Sequence, residues 1–412
     1  MNEPQTKRPA RLDAGHKRAV LLVSLLPPDH EGTGTARREA YLIDALAKHV
    51  SVDVVAPEAV TDPNVIVRTR NLYVAEAAPF HYGRRAAQLM QLRALLGLGP
   101  PRSVQVHAQI TRAIASAVPD WSSYDAVCID WPEVVPLVHE RSDNAWVLTF
   151  QYLESRQALQ RREVARGFWA RARARVAVLP TRSFERWTLT AFDAVFVTSP
   201  DDADALGGRA LLAPNGVDCD MFRPSPLPRQ PRLIMTGSLG WEPNIVGAIW
   251  FARHVFPLVR DRLPDATLQI VGFNPPPSVL DLAAIPGVSI HGSVPTVVPY
   301  LAAARVALVP LHVGSGTRLK ALEAMAMGRP VVGTAVGLEG LGITDGREAA
   351  MADEPDAMSR RIIELVEDDS LATRMGMAGR RLAESSYCWP TAMKPFVERV
   401  VQLAERREAR TQ

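Results

Sequence analysis

The stretch from Arg305 to Thr334 constrains the fold most. It reads as an apolar strand up to Pro310, a loop containing Gly314 and Gly316, an amphipathic helix stopped by Gly328, and a second apolar strand from Pro330. A strand, loop, helix and strand in that order form the repeating unit of a parallel sheet covered by helices. The loop leaves the carboxyl end of one strand and opens a helix, where free backbone N–H groups and the helix dipole favour an anion. Arg318 and Lys320 add cations in the first turn. Without a ligand they oppose the dipole there, at about 0.3–1 kcal/mol each. Glu323 follows roughly on the face of Lys320, placed to accept hydrogen bonds from hydroxyl groups. A phosphate site beside a hydroxyl acceptor is what a nucleotide-sugar needs.

The same alternation runs through most of the chain. Val20 to Leu25, Val52 to Ala56, Asp125 to Asp130, Ala145 to Phe150, Ala194 to Thr198 and Arg209 to Ala213 read as strands, with a helix over Ala36 to Lys48 after the first. A second series follows, with strands at Arg232–Thr236, Thr267–Val271, Val288–His291, Val306–Val309 and Pro330–Gly333. Between the series, Pro214 to Arg232 carries five prolines and loses periodicity, which marks a connection. The 412 residues thus divide into a basic tail without order (1–17), an acceptor-binding α/β domain (18–213), a linker (214–231), a nucleotide-sugar-binding α/β domain (232–388) and a last helix (389–412) that crosses back. Ligands of such sheets bind outside the carboxyl ends of the strands, so two facing sheets place the site in the cleft between them. In the second half, the loops at Gly237, Gly272, Gly292 and Gly314 form a glycine-rich rim on that edge.

Composition narrows the function further. A net charge of +3, with 47% hydrophobic and 22% charged residues, describes an ordinary globular chain with no global field for nucleic acid. Cys128, Cys219 and Cys388 lie far apart without metal or redox spacing, which predicts buried thiols in a reducing compartment. Lys17-Arg18 before an apolar run imitates a signal peptide, but a polar stretch follows without a cleavage site, and a first strand is the better reading. No span is apolar enough to cross a bilayer. The expected location is cytoplasmic, free or peripheral on the inner face of the membrane. From Arg156 to Arg186 the chain holds nine arginines against Glu163 and Glu185. As a functional patch it fits a phosphorylated or lipid-linked acceptor or an anionic membrane face; as a plain one it is a solvated helical face. The Gly314 loop lacks the third glycine of a dinucleotide fingerprint and the lysine followed by serine or threonine of a P-loop. Asp201-Asp202 and Asp218 with Asp220 read as capping or turn residues, so no metal site is expected.

Four segments resemble retaining glycosyltransferases of the GT-B fold, in the large group of mannosyl- and glucosyltransferases called family four. They are Pro214 to Asp218, Gly237 to Phe251 with its Trp-x-Pro-Asn, Gly314 to Val332, and Tyr387 to Trp389 before the terminal helix. The resemblance covers residues 18 to 406 and is strong from Ala213 onward. It implies two Rossmann-like domains facing across a cleft and transfer of a hexose from a nucleotide-diphosphate sugar, the co-substrate, to an acceptor hydroxyl with retention of configuration. No further cofactor is implied. Carried over by position, Arg318 and Lys320 hold the diphosphate and stabilise it as it leaves, and Glu323 binds the ribose. Gly314, Ser315, Gly316 and Thr317 face the donor sugar and phosphate, Gly237 and Ser238 line the phosphate side, and Gly272 and Val294 lie near the base. From the first domain, Gly32, Thr33 and Gly34 face the phosphate and Arg37 reaches the cleft. Departures stand beside these. Ser315 replaces the first of two glutamates, Ser238 and Asn244 stand near the places of an Arg and Lys pair, and Gln151-Tyr152 replaces His-Asn. The alternatives are a sugar-nucleotide epimerase of the same fold and a non-catalytic nucleotide-sugar binding protein.

Overall fold

The computed structural model describes residues 18–76, 104, 107–164 and 168–411; the basic tail and the side chains of residues 162–177 and 407–411 lie outside that description. The first half folds around β1 (Ala19–Val23), β2 (Ser51–Ala56), β3 (Leu72–Val74), β4 (Ala126–Ile129), β5 (Ala145–Phe150), β6 (Ala194–Val197) and β7 (Leu211–Leu212). These make one sheet in the order β3-β2-β1-β4-β5-β6-β7, and neighbours run parallel throughout. The second half contributes β8 (Arg232–Thr236), β9 (Thr267–Gly272), β10 (Val288–Gly292), β11 (Val306–Val309), β12 (Val331–Gly333) and β13 (Ala350–Met351). Its parallel sheet has the order β10-β9-β8-β11-β12-β13. β1, β4 and β11 are buried at every residue, which is why they read as unbroken apolar runs rather than as alternating strands. β3 and β13 were not anticipated; with two or three residues each at a sheet edge, they carry no periodicity.

In both sheets the chain order reverses beside the first strand, between β1 and β4 and between β8 and β11. A crevice opens at such a reversal because the connections leave it in opposite directions. The Gly32–Gly34 loop follows β1 at the first reversal; of the four rim loops, those at Gly237 and Gly314 follow β8 and β11 at the second, while Gly272 and Gly292 close β9 and β10 farther along the same sheet.

The terminal helix, Trp389–Thr411, lays Met393, Phe396 and Val400 against Val20, Ala126 and Phe196 of the first domain. The rings of Phe196 and Phe396 are 4.8 Å apart. The two places where the chain passes between domains are bound side by side. The Val217 amide donates to the Tyr387 carbonyl (2.7 Å) and the Trp389 amide to the Val217 carbonyl (3.3 Å). Tyr41 stacks on Trp389 at 4.9 Å, and its hydroxyl donates to Asp218.

A disulfide joins Cys219 to Cys388 at this same junction, which corrects the expectation of three buried thiols and removes its argument for a reducing compartment. The residues are 169 apart in sequence, so spacing could not reveal a pairing that only the domain crossing creates. Cys128 alone is free, and its burial in β4 pushes its thiol pKa up. Among the described residues, no helix is long and apolar enough to cross a membrane.

Candidate active site in the interdomain cleft

Two helix starts meet in the cleft. The helix Gly34–Leu46 begins after the β1 loop and the helix Leu319–Ala326 after the β11 loop. A methyl group added at Gly34 would lie 2.6 Å from Leu319 Cδ1, so the two starts are in contact. Neither has a side-chain cap, and neither has an acidic residue in its first turn. Each therefore leaves N–H groups and a positive dipole end unanswered.

Lys320 enters this space half-buried, its Nζ donating to Asn244 Oδ1 and lying beside Gly237. Burial and the nearby Arg318 push its ammonium pKa down to about 7, against the pull of Glu323. Glu323, one turn on, accepts from Arg37 Nη1 of the first domain at 2.7 Å. Its side chain is 12% exposed. Burial raises its carboxyl pKa, while Arg37 and Lys320 hold it back.

Arg318 differs from the expectation of an open cation. It precedes the first helical residue and is 4% exposed. Its Nη1 donates to the carbonyls of Ser315 (2.5 Å) and Gly316 (3.1 Å), while Nε and Nη2 both reach that of Val336 (3.2 and 3.0 Å). Burial pushes its pKa down to about 10, offset in part by Glu339. These bonds tie the Ser315 and Gly316 carbonyls to that of Val336.

That loop docks on the first domain. Gly314 donates its amide to Gln160 Oε1 (2.7 Å), Ser315 Oγ accepts from the Leu153 amide (2.9 Å), and Thr317 Oγ1 donates to the Thr198 carbonyl (2.5 Å). Gly316 sits at φ +80°, and a side chain there would come within 2.1 Å of the Gln151 carbonyl. Only glycine meets both conditions. Gly32 and Thr33 lie at the cleft edge before the first helix, with Thr33 exposed. Ser238 is exposed on the Gly237 loop and its carbonyl accepts from Asn244 Nδ2 (2.6 Å). Gly272 packs beneath Gly237, and half-buried Val294 follows β10.

Arg38, and the partners that Gln151 and Arg156 take, were not anticipated. Arg38, fully buried, donates to Asp130 Oδ2 (3.2 Å), to the Ala213 carbonyl (3.1 Å) and to Asn215 Oδ1 (3.0 Å). Gln151 Nε2 also donates to Asp130 Oδ2, at 2.7 Å. Arg156 bridges Asp202 (2.7 Å) and, across the domain boundary, Glu339. Each partner lies on another element, and no local spacing connects them.

Comparison with known proteins agrees with this geometry. Residues 230–368, most of the second domain, match the family described as Glycosyl transferases group 1. Over 234 residues the chain is 32% identical to the GDP-mannose-dependent alpha-(1-6)-phosphatidylinositol monomannoside mannosyltransferase of Mycolicibacterium smegmatis, covering 50% of this chain and 60% of that protein. The chain thus spans less than two thirds of that relative's length. Among solved structures, sucrose-phosphate synthase from Thermosynechococcus elongatus superposes with a TM-score of 0.69 at 17% identity, over 95% of this chain and 100% of that one. WaaG, a glycosyltransferase of lipopolysaccharide biosynthesis, gives 0.62 at 16% identity, over 92% and 99%. HepE of Anabaena, in complex with UDP and glucose, gives 0.61 at 12% identity, over 92% and 98%. These likenesses, with the two parallel sheets, establish the GT-B fold of two Rossmann-like domains.

Proposed function

We propose that this chain is a glycosyltransferase that moves a hexose from a nucleotide-diphosphate sugar to an acceptor hydroxyl with retention of configuration. The observation that carries the reading is the meeting of two uncapped helix starts in the cleft with Lys320 and Glu323 one turn apart. The helix starts and Lys320 take the diphosphate, and Glu323 takes the ribose hydroxyls. The bond between the sugar C1 and the β-phosphate oxygen breaks with its electron pair going to that oxygen. The acceptor oxygen bonds to C1, and its proton passes to the departing phosphate. Fixed N–H dipoles and cations already aimed at the developing charge lower this barrier without reorganisation. Beside this site Gln151 is held by Asp130, and the Tyr152 hydroxyl donates to Glu133 at 3.4 Å.

The name of the mannosyltransferase relative makes GDP-mannose the first donor to try, and the UDP complex of HepE makes UDP-glucose the second. A lipid-linked or phosphorylated glycoside is the acceptor class, reached from the inner face of the membrane. Leu179, 72% exposed, and Trp187, 43% exposed, share a helical face with the exposed Arg182 and Arg186, a pattern suited to an anionic bilayer surface. A thermal-shift panel of GDP-, UDP-, ADP- and dTDP-sugars tests the donor, since a ligand of the native state alone raises the melting temperature. Release of nucleoside diphosphate on adding a hydroxyl acceptor tests transfer. No shift with any donor refutes the reading.

A further inference from the structure

A leaving diphosphate calls for more than one cation, and the second domain offers fewer than its sequence promised. Arg318 spends its guanidinium on three carbonyls, and the loop from Gly237 to Asn244 has no lysine or arginine. Arg37 stands on the opposite wall. Its Nη1 touches Glu323 at 2.7 Å and its Nη2 reaches the Gly32 carbonyl at only 3.3 Å. Its Nε is buried with no hydrogen-bond partner among the described residues. It lies in the first turn of the Gly34–Leu46 helix, whose start abuts Leu319, the neighbour of Lys320.

From this placement, and resting on the function proposed above, we propose that Arg37 is the second cation of the diphosphate site, delivered by the first domain. The nucleotide triggers the delivery. Ribose hydroxyls compete for Glu323, and the guanidinium so released turns to the phosphate that arrives beside it. Arg37 and Lys320 then flank the anion from the two domains, so the leaving group is fully stabilised only when the cleft is closed. In the free chain, the Arg37–Glu323 pair keeps both groups from lying unpaired in a half-buried cleft, where an isolated charge is costly.

The test compares nucleosides with nucleoside diphosphates. Guanosine, uridine, GDP and UDP are titrated calorimetrically into the full chain and into Arg37→Gln and Arg37→Lys. Loss of one charge-assisted phosphate contact is expected to weaken diphosphate binding by roughly 10–100-fold in Arg37→Gln. Nucleoside binding should hold or strengthen, because the ribose then meets Glu323 without a competing guanidinium, and Arg37→Lys should recover part of the diphosphate loss through its charge. A residue that merely props the cleft would weaken nucleoside and diphosphate alike, and that equal loss overturns the proposal. So does wild-type diphosphate affinity in Arg37→Gln, which leaves the function proposed above standing. A wild-type chain that binds neither diphosphate overturns both.

Discussion

Lys320 ties donor binding to proton uptake. In the free chain its ammonium is pushed down to about 7 from an ordinary 10.5, so near neutral pH only about half the molecules carry the charge. A bound diphosphate favours the charged form and refills it. The sign follows: binding takes up protons, and affinity falls as pH rises above 7. Uptake should be about 0.5 proton at pH 7, close to 1 at pH 8 and about 0.1 at pH 6. The apparent Kd should rise roughly tenfold from pH 6 to pH 8. Calorimetric titration of GDP-mannose or UDP-glucose, whose doubly esterified diphosphates do not titrate between pH 6 and 8, in buffers of different ionisation enthalpy measures the uptake directly. Lys320→Met should bind more weakly and lose this uptake. An uptake near zero at both pH 7 and pH 8, or an equal uptake in Lys320→Met, would refute the placement of Lys320 on the phosphate.

Three further substitutions probe the surrounding structure. Arg318→Met strips donors from the Ser315, Gly316 and Val336 carbonyls; stability should drop by about 3–5 kcal/mol, the cost of breaking a buried charged network, and an unchanged urea midpoint would show those bonds to be idle. Glu323→Gln should abolish discrimination between GDP and its 2′,3′-dideoxy analogue, because a carboxylate accepts from both ribose hydroxyls at about 1.5–3 kcal/mol each; persisting discrimination would move the ribose elsewhere. Cys219→Ser opens a loop spanning 169 residues and should lower stability by about 2–5 kcal/mol through the gain in unfolded-chain entropy. Matching denaturation curves with and without reductant would argue that the bond is absent in solution.

What the sequence disclosed was local. The buried strands announced themselves as apolar runs, the Gly314 loop as a break between strand and helix, and Lys320 with Glu323 as neighbours one turn apart. What it concealed came from pairs far apart along the chain. Arg37 meets Glu323 across 286 residues, Gln160 meets Gly314 across 154, and Cys219 meets Cys388 across 169. No periodicity or motif spacing encodes such meetings, because two independent domains and the angle between them set them.

Arg318 belongs to neither group, since its position was constrained by local geometry alone. An α-helix turns about 100° per residue, so side chains two apart point about 200° from one another. Residues 318 and 320 could not both face one ligand from a regular helix; 320 and 323, about 60° apart, could. The structure resolves the conflict by keeping Arg318 outside the helix, with φ −88° and ψ 83°, and turning it into the loop. With Lys320 then the single cation that this helix turns to the cleft, a dianionic leaving group must draw further positive charge from the facing wall. The first residue there able to provide it is Arg37, already in contact with the carboxylate that the donor's ribose would claim.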